Sequence, residues 1–280
     1  MATIGIRALR LGLRTLESAS PELAARLAER LFFAPPRRAL SGEDTAVLDA
    51  GRTFKVRSEG RRLRAWRWGA GPVVLLVHGW GGRAGRFSAF VAPLVAGGHT
   101  VVTYDGPGHG ASEGRLSSMP ELARALAAVA AEVGPVHGLI AHSLGGAATS
   151  LALRDGLVAR RVALLAPVAD PGVFAEAFAA SMGVRPSTIE ALRRNSERRI
   201  RFRWADLNVP AMVARLSVPV LVVHDENDDV VPIHDGRAVA AAWRGAELVV
   251  TKGLGHRGVL RDPATVRRAV EFVSAAKSSS

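Results

Sequence analysis

The chain has 280 residues, 48% of them apolar, enough for one large domain or two small ones of ordinary globular composition. It contains no cysteine, which excludes disulfides and zinc–thiolate sites and fits a reducing compartment. The net charge of +12 sits mainly in residues 1–68, with 14 basic and 7 acidic side chains, and in residues 171–217, with 8 and 4; no nucleic-acid-binding motif accompanies it, so the charge is read as serving solubility, with no nucleic-acid partner.

Residues 1–34 read as two helices. In the first, about residues 4–18, Ile4, Ala8 and Leu11 form one stripe, Leu9, Leu13 and Leu16 lie beside it, and Arg7, Arg10 and Arg14 recur on another face. The arginines interrupt every apolar run, so no export signal is expected. No stretch approaches the roughly 20 apolar residues of a membrane span, and a cytoplasmic location is expected. Ser20 is placed as an N-cap, with Pro21 at the first helical position and Glu22 in the first turn. The second helix then runs to Phe33, where Pro35-Pro36 stops it. A basic amphipathic helix can lie on a membrane, but more often packs its apolar face on its own domain or a partner subunit, so membrane contact through residues 1–34 is the lesser reading.

From Thr53 the pattern turns to short strands. Segments 53–57 and 63–68 flank Glu59-Gly60 and predict a hairpin. Residues 73–77 are a continuous β-branched and aliphatic run, as in a strand buried on both faces of a parallel sheet. The loop after it, His78-Gly79-Trp80-Gly81-Gly82, lets backbone approach a substrate closely. It can offer the N–H of Trp80 to an oxyanion, with His78 bracing the loop. Further strands are predicted at 100–104, 136–141, 162–165, 218–223 and 247–251, and helices between most of them at 86–96, 119–133, 144–155, 233–243 and 263–275. Such alternation indicates a doubly wound, mostly parallel α/β sheet.

Ala141-His142-Ser143-Leu144-Gly145-Gly146 follows one of these strands and opens a helix. A serine on such a sharp turn is exposed at the carboxyl end of the strand. The small residues two before and two after it relieve crowding, and the N–H of Leu144 is a second oxyanion donor. The helix N-terminus behind it favours developing negative charge.

Between Asp170 and Val218 the interval is too long for a simple connection. Helices near 173–182 and 187–198 are predicted, forming a small cap at residues 171–217 inserted into a core of residues 51–170 and 218–280, with residues 1–50 as an N-terminal helical extension. Phe174, Phe178, Met182 and Trp204 of the cap are candidates to line an apolar substrate pocket, and the basic stretch 193–203 is a candidate to favour an acidic or phosphorylated substrate. Ser278–Ser280 is read as a disordered tail.

Strand-HGWGG, then YDGPGHGAS (104–112), then AHSLGG, in this order and spacing, resemble the α/β-hydrolase superfamily from about residue 51 onward, with the helical N-terminus outside the resemblance. The resemblance implies structural roles for Asp105 and Ser112, and a chain order of nucleophile, acid, histidine. It selects Ser143 as nucleophile and Asp228, four residues before Pro232, as the acid. Asp225 and Asp229 are rivals within five positions, and Asp170 is a remoter one. Of eight histidines, His256 in Gly253-Leu254-Gly255-His256-Arg257-Gly258 resembles the family's catalytic-histidine loop; His142 is expected to point away from the serine's face of the turn, and His109, His137 and His234 to be structural. Serine rather than aspartate at the nucleophile position argues against dehalogenase and epoxide-hydrolase activity.

The implied function is a serine hydrolase cleaving small-molecule carboxylic esters of small or medium acyl chain, with no cofactor and no metal called for. Thioesterase, short-peptide aminopeptidase and carbon–carbon bond hydrolase activities use the same triad. A catalytically idle binding protein and a membrane-peripheral lipid hydrolase are readings of another class. Nothing in the sequence specifies an oligomeric state.

Overall fold

The computed structural model describes residues 2–37 and 39–275, the side chains of residues 2–8 excepted. The predicted tail at Ser278–Ser280 lies outside the described residues, as do the side chains of Ile4 and Ala8 in the first helical stripe.

The elements run α1 (Ala2–Ala19), α2 (Pro21–Phe32), α3 (Gly42–Asp49), β1 (Arg52–Ser58), β2 (Arg61–Trp68), β3 (Val73–Val77), α4 (Ser88–Ala96), β4 (Thr100–Tyr104), α5 (Met119–Val133), β5 (Val136–His142), α6 (Leu144–Arg154), β6 (Ala159–Leu165), α7 (Pro171–Ser181), α8 (Pro186–Ile200), α9 (Val209–Val213), β7 (Val220–Asp225), α10 (Ile233–Ala242), β8 (Glu247–Thr251), α11 (Gly255–Gly258) and α12 (Pro263–Ser274). The eight strands form one sheet in the order β1-β2-β4-β3-β5-β6-β7-β8. From β4 to β8 neighbours are parallel; β1–β2 and β2–β4 are antiparallel. The β1–β2 hairpin turns on Glu59 (φ 48°) and Gly60 (φ 77°), the pair of left-handed residues that matches strand twist in a two-residue loop.

Alternation along the strands divides the core between the two faces of the sheet. Val73, Leu75 and Val77 of β3 join α5 and α6 in one buried cluster. Val74 and Leu76 join Phe87, Phe90 and Leu94 around α4, with Ala269, Phe272 and Val273 of α12, in the other. β3, β4 and β7 are buried along their whole length, as their apolar runs require.

The start of α4 departs from the sequence reading. A short 3-10 turn, Ala84–Phe87, precedes α4, so the regular helix starts at Ser88 rather than at residue 86. On α1 it is Leu13 that is buried, whereas Leu11 is 69% exposed. Leu13 packs with Ala28 of α2 and with Ala179, Met182, Val184 and Leu192 of the cap. The N-terminal helices therefore lie on the cap: α2 runs against α8, and the carboxylate of buried Glu17 accepts the backbone N–H of Arg185 at 2.7 Å. No helix among the described residues is long and apolar enough to cross a membrane.

Candidate active site

The strand order reverses direction at β3, which has β4 on one side and β5 on the other. Ligand crevices of open α/β sheets lie at the carboxyl ends of strands at such a switch point. The loop from residue 78 leaves β3 there, and Ser143 leaves β5 beside it.

Ser143 has φ 55° and ψ −128°, a conformation rarely held by a residue with a side chain. The turn is locked by the N–H of Ser143 donating to Leu165 O at 2.9 Å and by Ser143 O accepting from Gly146 N–H at 2.8 Å. Neighbouring backbone is too near for larger residues. A Cβ on Gly145 would lie 2.5 Å from His78 O, and one on Gly79 2.8 Å from both His142 O and Ser143 Cβ. The chain at Gly79-Trp80 is thereby held directly against the serine. Leu144 is the first residue of α6, where a backbone N–H has no partner within the helix.

The structure brings together Ser143, His256 and Asp228, all buried. His256 Nε2 is 3.1 Å from Ser143 Oγ, and His256 Nδ1 is 2.8 Å from Asp228 Oδ2. An ionised carboxylate only accepts, so Nδ1 carries the hydrogen and Nε2 is left as an acceptor facing the serine hydroxyl. Burial alone would raise the Asp228 carboxyl; the bonds from His224, His256 and the N–H groups of Val231 and Val230 outweigh it and hold the group far below the usual carboxylate range.

The rival aspartates have other partners. Asp225 accepts from Thr251 Oγ1 and from the N–H groups of Asn227, Leu254 and Gly255, and so ties down the loop that carries His256. Asp170 caps α7 through the N–H of Gly172, and Asp229 is exposed.

Buried imidazoles frame the site. His78 Nδ1–H donates to Gly79 O and its Nε2 accepts from Gly106 N–H, each at 2.8 Å, joining the loop after β3 to the loop after β4. His109 Nε2 accepts from Gly81 N–H at 3.1 Å. Asp105 accepts from Ala84 N–H and Ala111 N–H, and Ser112 Oγ donates to Asp105 O, so this loop is braced internally. His142 belongs to the site: its Nε2–H donates to His256 O at 2.8 Å. Burial pushes His78 down to about 4, and His109 and His142 to about 3. All are neutral near pH 7.

Above Ser143 opens a largely apolar cavity of about 320 Å³. Trp80, Leu144, His142 and His256 line it, as do Phe174 and Trp204 of the cap. Phe178 and Met182 do not line it, correcting the sequence expectation. Phe178 packs on Phe32 at 5.4 Å between ring centroids, and Met182 is buried against Leu13 and Leu192. The arginines of the basic stretch 193–203 are likewise outside the lining, to which that stretch contributes Ile200. Several are paired: Arg193 with Glu190 and Glu197, Arg194 with Glu190, and Arg203 with Asp206. The sequence reading missed the contribution of Phe32, Phe33 and Pro36 to the cavity, because no local motif announces which distant surface a helix end will meet.

A model of the alpha/beta hydrolase family matches residues 74–269. Among curated relatives, the acetyltransferase component of an acetoin-cleaving system from Cupriavidus necator is 34% identical over 132 residues, which are 45% of this chain and 35% of that protein. An uncharacterised Mycobacterium tuberculosis protein is 28% identical over 233 residues, 76% of this chain and 74% of its own. Among solved structures, Est1E of Butyrivibrio proteoclasticus with bound ferulic acid superposes with a TM-score of 0.63 at 18% identity, covering 79% of this chain and all (100%) of that one.

Proposed function

We propose, on the premise that this chain belongs to the alpha/beta hydrolase family, that it is a serine hydrolase cleaving carboxylic esters of small or medium acyl chain. The observation that carries the reading is the unbroken line of hydrogen bonds from Asp228 through His256 to the Oγ of Ser143.

In this reading Ser143 Oγ adds to the ester carbonyl carbon and its proton passes to His256 Nε2. Asp228, ionised and bonded to Nδ1–H, stabilises the imidazolium. The oxyanion takes hydrogen bonds from the N–H groups of Trp80 and Leu144, and the loss of one such donor typically costs about 10²–10³ in rate. The intermediate collapses, and the leaving alkoxide receives the proton from Nε2. Water then adds to the acyl-serine, giving its proton to His256. Collapse of this second intermediate frees the acid and returns the proton to Ser143. The apolar lining around Phe174 and Trp204 supports an uncharged acyl or alcohol group as the part held. The cap arginines lie outside the cavity lining and lend no support to a thioester with a phosphorylated carrier; the arginines of the lining, Arg86 and Arg257, belong to the core.

The test is turnover of p-nitrophenyl acetate, butyrate and octanoate beside matched thioesters and aminoacyl anilides. The reading expects the oxygen esters to be the best substrates by kcat/KM. Preference for thioester or anilide would move the assignment within the family, and the absence of any turnover would favour an idle binding protein.

A further inference from the structure

We infer that the N-terminal segment from α2 through Pro36 is part of the substrate pocket, and that Phe32 sets the length of apolar chain it accepts; this rests on the ester-hydrolase reading above. The segment lies outside residues 74–269, so nothing about it follows from the family match.

Three of its side chains, Phe32, Phe33 and Pro36, line the cavity over Ser143. They are held there from both sides. From the core, Ser117 N–H donates to Phe33 O at 2.8 Å, and Arg37 donates to Gly114 O at 2.8 Å. Pro36 sits on the loop after β3 so closely that a Cβ on Gly81 would come within 2.8 Å of Pro36 Cγ. From the cap, the guanidinium of Arg199 lies over the Phe33 ring at 5.3 Å, and α2 runs against α8.

Phe32 stands at the junction. Its ring meets Phe33 edge-on at 5.1 Å and Phe178 of α7 at 5.4 Å while still facing the cavity. A ring fixed on two sides and open on the third is a wall whose size translates into free volume. Cores with such packing relax only partly when a side chain is truncated. A smaller residue at position 32 therefore lengthens the pocket, and a larger one shortens it. The half-buried setting of Phe32 makes both changes compatible with folding, unlike changes at the fully packed Phe33.

The experiment uses the full chain as wild type, Phe32→Ala and Phe32→Trp, with thermal melts to verify folding and a fluorophosphonate to count reactive serines. kcat/KM is measured for p-nitrophenyl esters from acetyl to decanoyl, and for acetates of alcohols of the same lengths. In one of the two series Phe32→Ala is expected to move the optimum to longer chains, by about fourfold in relative kcat/KM for each methylene newly buried. Phe32→Trp is expected to move it to shorter ones. Folded variants that label and hydrolyse with the wild-type profile in both series would overturn the inference while leaving the hydrolase reading intact. A wild type that neither labels nor hydrolyses would overturn that reading itself, and this one with it.

Discussion

His142 donates from its Nε2–H to the backbone carbonyl of His256 at 2.8 Å, with the two rings 4.6 Å apart. The residue before Ser143 thus holds the backbone of the histidine whose ring faces the Ser143 hydroxyl. Its neutrality matters: a charged ring there would oppose formation of an imidazolium at His256. His142→Phe keeps an aromatic ring but leaves His256 O without its donor, and an unmet buried carbonyl costs about 1–3 kcal/mol. Steady-state kinetics should show kcat lowered roughly tenfold with KM little changed. An unaltered kcat would remove His142 from the account.

The two neighbouring carboxylates should separate by phenotype. Asp228→Asn leaves the shape but disturbs the tautomer of His256, and kcat is expected to fall by about 10⁴. Asp225→Asn weakens a set of loop bonds instead, and should lower the melting temperature more than Asp228→Asn does, with a smaller loss of kcat. The reverse order of the two kcat losses would reassign the acid.

How much of this was legible in the sequence depends on how local the cause is. Strands buried on both faces, such as β3 and β7, announce themselves as unbroken apolar runs because every residue meets a core. The strained turn at Ser143 was legible because the small residues around it are demanded by backbone within a few ångströms. The pocket wall was legible only in part, at Phe174 and Trp204. Phe174, Phe178 and Met182 follow one another at helical spacing, but each step of four residues advances about 6 Å along the axis. The stripe therefore starts at the cavity with Phe174 and ends, at Met182, against Leu13 of α1. Where that handover falls is set by the docking of a helix pair more than a hundred residues away in sequence.

Met182→Ala tests that division. It empties a buried site between cap and N-terminal helices, which typically costs about 2–5 kcal/mol. Denaturant unfolding should register the loss, while the relative kcat/KM values across an acyl series stay as in the wild type. A shifted substrate profile with unchanged stability would return Met182 to the pocket.

The buried imidazoles make stability fall with acid. His78, His109 and His142 have folded values of about 4, 3 and 3, against an ordinary 6.5. Below pH 6.5 the unfolded chain binds protons there that the folded chain refuses, so their contribution is complete above that pH and is lost as pH falls. Each steepens the loss of stability as pH falls between about 6 and 4. Asp228, held low when folded, adds to the loss only below its ordinary 3.8. Urea unfolding at pH 7, 6 and 5 should show the decline; equal stabilities at pH 7 and 5 would contradict it.

Gly79→Ala addresses the proposed oxyanion donors. The added methyl meets His142 O and Ser143 Cβ at 2.8 Å, so the loop carrying Trp80 has to move away from the serine. A fall in kcat of about 10²–10³ is expected, read in a p-nitrophenyl ester assay with the fold checked by circular dichroism. Wild-type kcat would show that the loop's backbone takes no part in the rate.

The most direct measurement is peptide mass spectrometry of the protein after reaction with a fluorophosphonate, run on wild type, Ser143→Ala and His256→Ala. A phosphonylated hydroxyl at residue 143 is predicted for the wild type, with no adduct in the first variant and formation slowed by orders of magnitude in the second. An adduct on any other residue, or one formed as fast when the imidazole is gone, would contradict the claim that these two side chains work together.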